Sequence, residues 1–193
     1  MNAAESPGRE TTVVLTPDAI AHAIHRMAQE IIEANDSMES VALLGILSRG
    51  RPLAERLARE IHAMTGVLPK VGSLSTTLYR DDLRSSHASA KMGSGETHFD
   101  FDVDGITVIL VDDVISKGRT TRAALDEVMD YGRPARVQLA CLIDRGRREL
   151  PIQPDYLGWS IRTDPLDHVA VKLDECDGED IVLLERALHD ANE

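Results

Sequence analysis

Apolar positions along this chain fall into two rhythms that alternate. After Thr16-Pro17-Asp18, Ile20, Ile24, Met27 and Ile31 recur at steps of four, three and four, which places them on one face of a helix. The three residues before them form a helix start: a capping hydroxyl, a proline at the first helical position and a carboxylate near the positive end of the dipole. This helix is expected to reach about Asn35. Val41 to Leu47 is a short, almost unbroken apolar run, as a strand covered on both faces would be. Pro52 restarts the helical rhythm through Leu53, Leu57 and Ile61, and Gly66 ends it. Val71 to Tyr79 reads as a polar, threonine-rich strand. Two further buried strands, Ile106 to Val111 and Val137 to Ile143, flank a helix from about Thr120 to Tyr131 that stops at Gly132. Strands alternating with helices at this spacing predict an α/β fold with a central, mostly parallel, doubly wound sheet.

Two segments keep neither rhythm. Arg80 to Gly105 is too long for an ordinary connection, so it is read as a flap over about 80–105. Leu150 to Asp174 holds short extended pieces broken by Pro151, Pro154 and Pro165, and is read as a small C-terminal hood centred on about 150–165. The expected organisation is a flexible tail over 1–12, one domain over 13–180 and a C-terminal extension over 181–193. Within that extension, Leu183 to Asn192 reads as a short amphipathic helix.

Composition narrows the class. With 193 residues, 42% hydrophobic and 28% charged, the chain suits one globular domain with a real core. It has no apolar run of about 18 residues, and Met1 to Glu10 lacks the apolar centre of a signal peptide, so a cytoplasmic location is expected. Cys141 and Cys176 do not form a disulfide framework. His22 and His25 share part of a helix face without further ligands at metal spacing, which disfavours zinc. The net charge of −12, from 21 basic and 33 acidic residues, disfavours charge-driven binding to nucleic acid. An anionic substrate would need positive charge focused locally, in the arginine-bearing loops.

The densest chemistry lies at Val108 to Thr120, V-I-L-V-D-D-V-I-S-K-G-R-T. An apolar strand delivers Asp112 and Asp113 to its carboxyl end, where open α/β sheets hold ligands. Backbone amides from Ser116, Lys117, Gly118, Arg119 and Thr120 then converge at a helix start, which favours an anion. Carboxylates suit ribose hydroxyls and amides suit a phosphate, so the stretch predicts a site for a phosphorylated sugar. Its order and length resemble the phosphoribosyl pyrophosphate (PRPP) signature of type I phosphoribosyltransferases. Ser48-Arg49-Gly50-Arg51 repeats the arrangement after the first buried strand and would make a second anion pocket on the same cleft. Leu78-Tyr79-Arg80-Asp81-Asp82-Leu83 opens the flap, and Asp144-Arg145-Gly146-Arg147-Arg148-Glu149-Leu150-Pro151 follows the last buried strand.

Together these residues resemble one family closely, the bifunctional pyrimidine-operon attenuation regulators that are also uracil phosphoribosyltransferases. The resemblance runs from Val13 to about Asp180. It rests on the signature, on residues 78–83, on Tyr131-Gly132-Arg133-Pro134-Ala135, on Gln138-Leu139-Ala140, on Asp144-Arg145-Gly146 and on Arg148-Glu149-Leu150-Pro151-Ile152, and it continues through Pro154 to Gly158 and Val171 to Glu175. It implies the type I phosphoribosyltransferase fold and a reaction of uracil with PRPP to UMP and pyrophosphate, with Mg²⁺ bound mainly through PRPP and no metal ligand from the protein directly. Asp112, Asp113 and Arg80 would serve catalysis, residues Ser116 to Thr120 the 5′-phosphate, and Ser48, Arg49 and Arg145 the pyrophosphate. Tyr156 would pack on the base. Pyrimidine leader RNA would meet Arg26 and Arg148, and the protein would be a homodimer or larger homo-oligomer. The departures are Ser116 and Lys117 for the usual Tyr and Thr, Ser75 for Asp, and His25, Gln29, Gln153 and Trp159 for Thr, His, Arg and Lys. Three of the last four remove groups suited to RNA; Arg147, in place of a His, adds one. An RNA-binding nucleotide sensor with vestigial catalysis, and a transferase acting on a purine, are the competing readings.

Overall fold

The run Val41–Ile46 is buried at every residue because it lies inside a sheet with helices on both faces. The computed structural model describes residues 9–76 and 97–187. In chain order the elements are β1 (Arg9–Leu15), α1 (Pro17–Ala34), β2 (Val41–Ile46), α2 (Gly50–Thr65), β3 (Lys70–Leu74), β4 (Thr107–Ile115), α3 (Arg119–Tyr131), β5 (Arg136–Asp144), β6 (Tyr156–Ser160), β7 (His168–Lys172), α4 (Asp174–Asp177) and β8 (Ile181–Ala187). The helix rhythms held: the Thr16 hydroxyl accepts from the Ala19 amide, and α1 buries Ile20, Ile24, Met27 and Ile31. Gly66 ends α2 in the left-handed region, at φ 77°.

Five strands form one sheet in the order β3-β2-β4-β5-β6, every neighbouring pair parallel. β2 leads through α2 to β3 on one side, whereas its neighbour β4 leads through α3 to β5 on the other. The chain therefore reverses direction across the β2/β4 boundary, and a crevice opens beyond the carboxyl ends of those two strands. Helices α1 and α2 cover one face over a core that includes Leu43, Ile109, Val111 and Leu142. The other face buries Leu44, Val108, Leu110 and Cys141 under α3 and residues 99–106.

β4 is longer than predicted. Val114 and Ile115 go on pairing with Ile143 and Asp144, so the two carboxylates sit inside the strand and not at its end. A second, antiparallel sheet has the order β1-β8-β7 and joins the two ends of the chain. It corrects two expectations. Residues 9–12, read as tail, pair with β8, and Leu183 to Ala187, read as helix, form part of that strand. The hood also moves: Tyr156–Ser160 is the outer strand of the main sheet, because it pairs with Ala140 to Asp144 of β5. Most of the expected flap, with Arg80, lies outside the described residues. Its last part returns to the body: Ser73 and His98 exchange backbone hydrogen bonds at 2.9 Å, and Phe99 packs on Phe101 and Tyr131.

Candidate active site

Alternation along β4 sends its two carboxylates to opposite faces. Asp112 shares the α3 face with Val108 and Leu110 and is 6% exposed; Asp113 shares the α2 face with Val111 and is half-buried. Each turns back on the backbone, since the Asp113 amide donates to Asp112 Oδ1 at 3.0 Å and the Val114 amide to Asp113 Oδ1 at 2.9 Å. Both side chains are thereby oriented before any ligand arrives.

Beyond β4, Ser116 and Lys117 lead to Gly118, whose φ of 89° makes the tight turn that starts α3. No side chain caps this helix, so its first amides face the crevice with the positive end of the dipole behind them. The loop is held from below by Arg148. Its guanidinium donates to the Ser116 carbonyl at 2.8 Å, to Asp144 Oδ1 and Oδ2 at 2.9 and 2.7 Å, and through Nε to the Ile152 carbonyl at 2.7 Å. Above it, Glu149 accepts from Lys117 Nζ and Arg119 Nε, each at 2.8 Å, and these two cations hold its carboxyl below the usual range. The Glu149 and Leu150 amides both donate to the Lys117 carbonyl. Residues 144–152 are thus the scaffold of the expected phosphate loop.

The second loop meets it at the chain reversal. The Leu47–Ser48 peptide is cis, and Gly50 lies so close to the Val111 carbonyl that a Cβ there would collide with it. Ser48 is exposed and Arg49 half-buried. Arg49 donates from Nε and Nη2 to the Asp177 carboxylate of α4 at 3.0 and 2.7 Å. That pairing raises its pKa, and Asp113 across the crevice adds to the effect. β2 and β4 are neighbours, so the loop of Ser48 and Arg49 and the loop of residues 116–120 that follows Asp112 and Asp113 leave the same edge of the sheet.

Four predicted residues are placed differently. Arg145 does not join Ser48 and Arg49; its Nη2 donates to the Asp167 carbonyl at 2.9 Å, its Nε is buried without a partner, and burial lowers its pKa. Tyr156 is 3% exposed in the core beneath α1, and its hydroxyl accepts from Asn35 Nδ2 at 3.1 Å. Burial pushes its phenol up, and no face of the ring is open to a base. Arg26 donates to the Leu157 and Gly158 carbonyls at 2.9 and 2.6 Å, satisfying the open edge of β6. Arg148 spends its donors on the phosphate loop. Sequence reasoning missed Asp144 and Glu149 as supports of that loop and Asp177 as the support of Arg49. Asp144 and Glu149 lay inside a stretch already singled out, but nothing in the spacing ties residue 177 to residue 49.

Comparison with known proteins agrees with this geometry. The phosphoribosyl transferase domain family matches residues 12–175. The chain is 49% identical over 180 residues to the Bifunctional protein PyrR of Pelotomaculum thermopropionicum, covering 93% of this chain and 98% of that one. It is 50% identical over 171 residues to the protein of the same name from Deinococcus radiodurans, covering 89% and 92%. Among solved structures, the hypoxanthine phosphoribosyltransferase of Trypanosoma cruzi aligns with a TM-score of 0.67 at 16% identity, over 92% of this chain and 97% of that one. A hypoxanthine-guanine phosphoribosyltransferase of Bacillus anthracis gives 0.64 at 18%, over 92% and 98%. At such identities the structures speak for the fold. No helix among the described residues is long and apolar enough to cross a membrane.

Proposed function

The chain belongs to the phosphoribosyl transferase domain family, alongside the bifunctional PyrR proteins, and from that premise we propose that it transfers phosphoribose from PRPP to uracil, giving UMP and pyrophosphate. The observation that supports this most is that the strand of the acidic pair and its neighbour β2 each run into a loop with amides or a cation at the β2/β4 reversal, an arrangement that suits a substrate with a phosphate at one end and a pyrophosphate at the other. The hard species is a ribosyl group with oxocarbenium character, so positioning and charge complementarity do the work without a covalent nucleophile. Asp112 and Asp113 hold the ribose hydroxyls and face the positive charge as it develops. The amides from Ser116 to Thr120 hold the 5′-phosphate, Ser48 and Arg49 the pyrophosphate, and Arg80 the closed state.

Mg²⁺ would be held as a hard cation mainly through PRPP oxygens and would offset charge on the departing pyrophosphate. With Tyr156 in the core, the base falls to the carboxyl end of β6. Trp159 is 51% exposed there and pairs in register with Ile143 of β5. Its indole is an aromatic surface for a planar base. The PyrR relatives favour uracil over a purine. These substrates place the protein in the cytoplasm, and the resemblance favours a homodimer or larger assembly, which light scattering would establish.

The deciding experiment is pyrophosphate release from PRPP with Mg²⁺, comparing uracil, hypoxanthine, guanine and no base. Uracil-dependent release is expected. UMP binding without release for any base would favour the reading as a nucleotide-sensing regulator, and release with hypoxanthine or guanine alone would favour a purine transferase.

A further inference from the structure

Arg49 meets Asp177 side-on: Nε and Nη2 take the two carboxylate oxygens, which leaves the opposite edge of the guanidinium, Nη1 and the second Nη2 proton, for another anion. Asp177 is itself fixed. Its Oδ2 also accepts from the Leu173 amide at 3.0 Å, and the turn that bears it is clamped by Arg56, which pairs with Glu175 and Asp180 on either side of it. The Asp180 carboxylate in turn accepts from the Asp174 amide at 2.8 Å. A cation on a short loop after β2 is thus oriented by a rigid turn that belongs to the small sheet, 128 residues further along the chain.

We propose that Asp177 is a positioning residue for pyrophosphate: it aims the free edge of Arg49 at the leaving group without touching substrate. The proposal rests on the reading of Arg49 as a pyrophosphate ligand. Asp177→Asn is the informative change, since the amide keeps an oxygen for the Leu173 amide and the size of the side chain, and loses the bidentate charge that orients Arg49. Inhibition by inorganic pyrophosphate and the KM for PRPP are measured for this variant and for Arg49→Gln, with UMP binding as the reference, because UMP occupies the phosphate loop and lacks a pyrophosphate. Both variants are expected to weaken pyrophosphate about ten-fold and leave UMP affinity and the KM for uracil unchanged. Weakening by Arg49→Gln alone would overturn the positioning role and leave the Arg49 reading standing. No effect of either variant would overturn both. An equal loss of UMP binding in Asp177→Asn would mark a general structural role and also overturn the proposal.

Discussion

Asp113 and Lys117 stand four residues apart on one strand and loop, yet substitutions there should have very different costs. Asp113 is oriented by the Val114 amide and lies across the crevice from Arg49, so in the proposed reaction Asp113→Asn would remove charge where positive charge develops. Lys117 spends its ammonium on Glu149 and contributes to the loop mainly through its backbone, which Lys117→Thr retains. We expect kcat/KM to fall about 100-fold in the first and less than about three-fold in the second. Equal losses would contradict the roles assigned to both. Tyr156 and Trp159 make a second pair. Tyr156→Phe should cost about 1 kcal/mol of stability, through the lost hydrogen bond from Asn35, and leave the KM for uracil as it was. Trp159→Ala should raise that KM without lowering the thermal midpoint, since the indole is half-exposed. A Tyr156→Phe protein that binds uracil poorly would return the base to the core side of β6.

The four-residue helix α4 and the loop after it show how an element too short to stand alone is held. Arg56 of α2 donates to Glu175 at 2.9 and 2.6 Å and to Asp180 at 2.8 and 2.7 Å, and it is the first cause of the lowered pKa of each carboxyl. Because these folded-state values are depressed, the stabilisation is complete above the ordinary carboxylate range, about pH 4, and is lost as pH falls through the lower folded values. Arg56→Leu should lower stability by about 1–2 kcal/mol at pH 7, and the gap from wild type should narrow as the pH falls below about 4. Thermal melts of both proteins across that range provide the check; a constant gap would mean that packing of the arginine stem accounts for the loss. Elements of this kind escape a reading of sequence. α1, β2, α2 and β5 were legible because each carries its own period and its own stop. β1 was not, because its partner lies more than 160 residues away, and β8 was not, because Leu-Leu-Glu-Arg-Ala-Leu at 183–188 has a helix-like spacing although the strand pairs with both β1 and β7. The strand that carries the acidic pair, and the turn into α3 after it, were legible because the signals for them are local. Arg49 with Asp177, and Arg26 with β6, depend on contacts that no local pattern encodes.

At the scale of the molecule, an excess of twelve negative charges means that any RNA must be held by a local basic surface. Two arginines named for that surface have other work in the fold. Arg26, on α1, joins Glu30 to the β6 carbonyls, and so ties the outer strand of the main sheet to the helix that covers it. Arg148 ties β5 to the phosphate loop. If Arg26 closes the sheet edge, Arg26→Gln should lower the thermal midpoint by a few degrees, as loss of about 1–2 kcal/mol does in a domain of this size, and leave any RNA affinity with its original dependence on salt. If it neutralises a phosphate, the slope of log affinity against log salt should shift by about one, with little change in the midpoint. The hydrogen bonds to β6 favour the first outcome. Gel shifts with a pyrimidine leader RNA over a range of salt, run beside melts of the same two proteins, separate the alternatives, because an internal tie and a phosphate contact move opposite members of that pair of measurements.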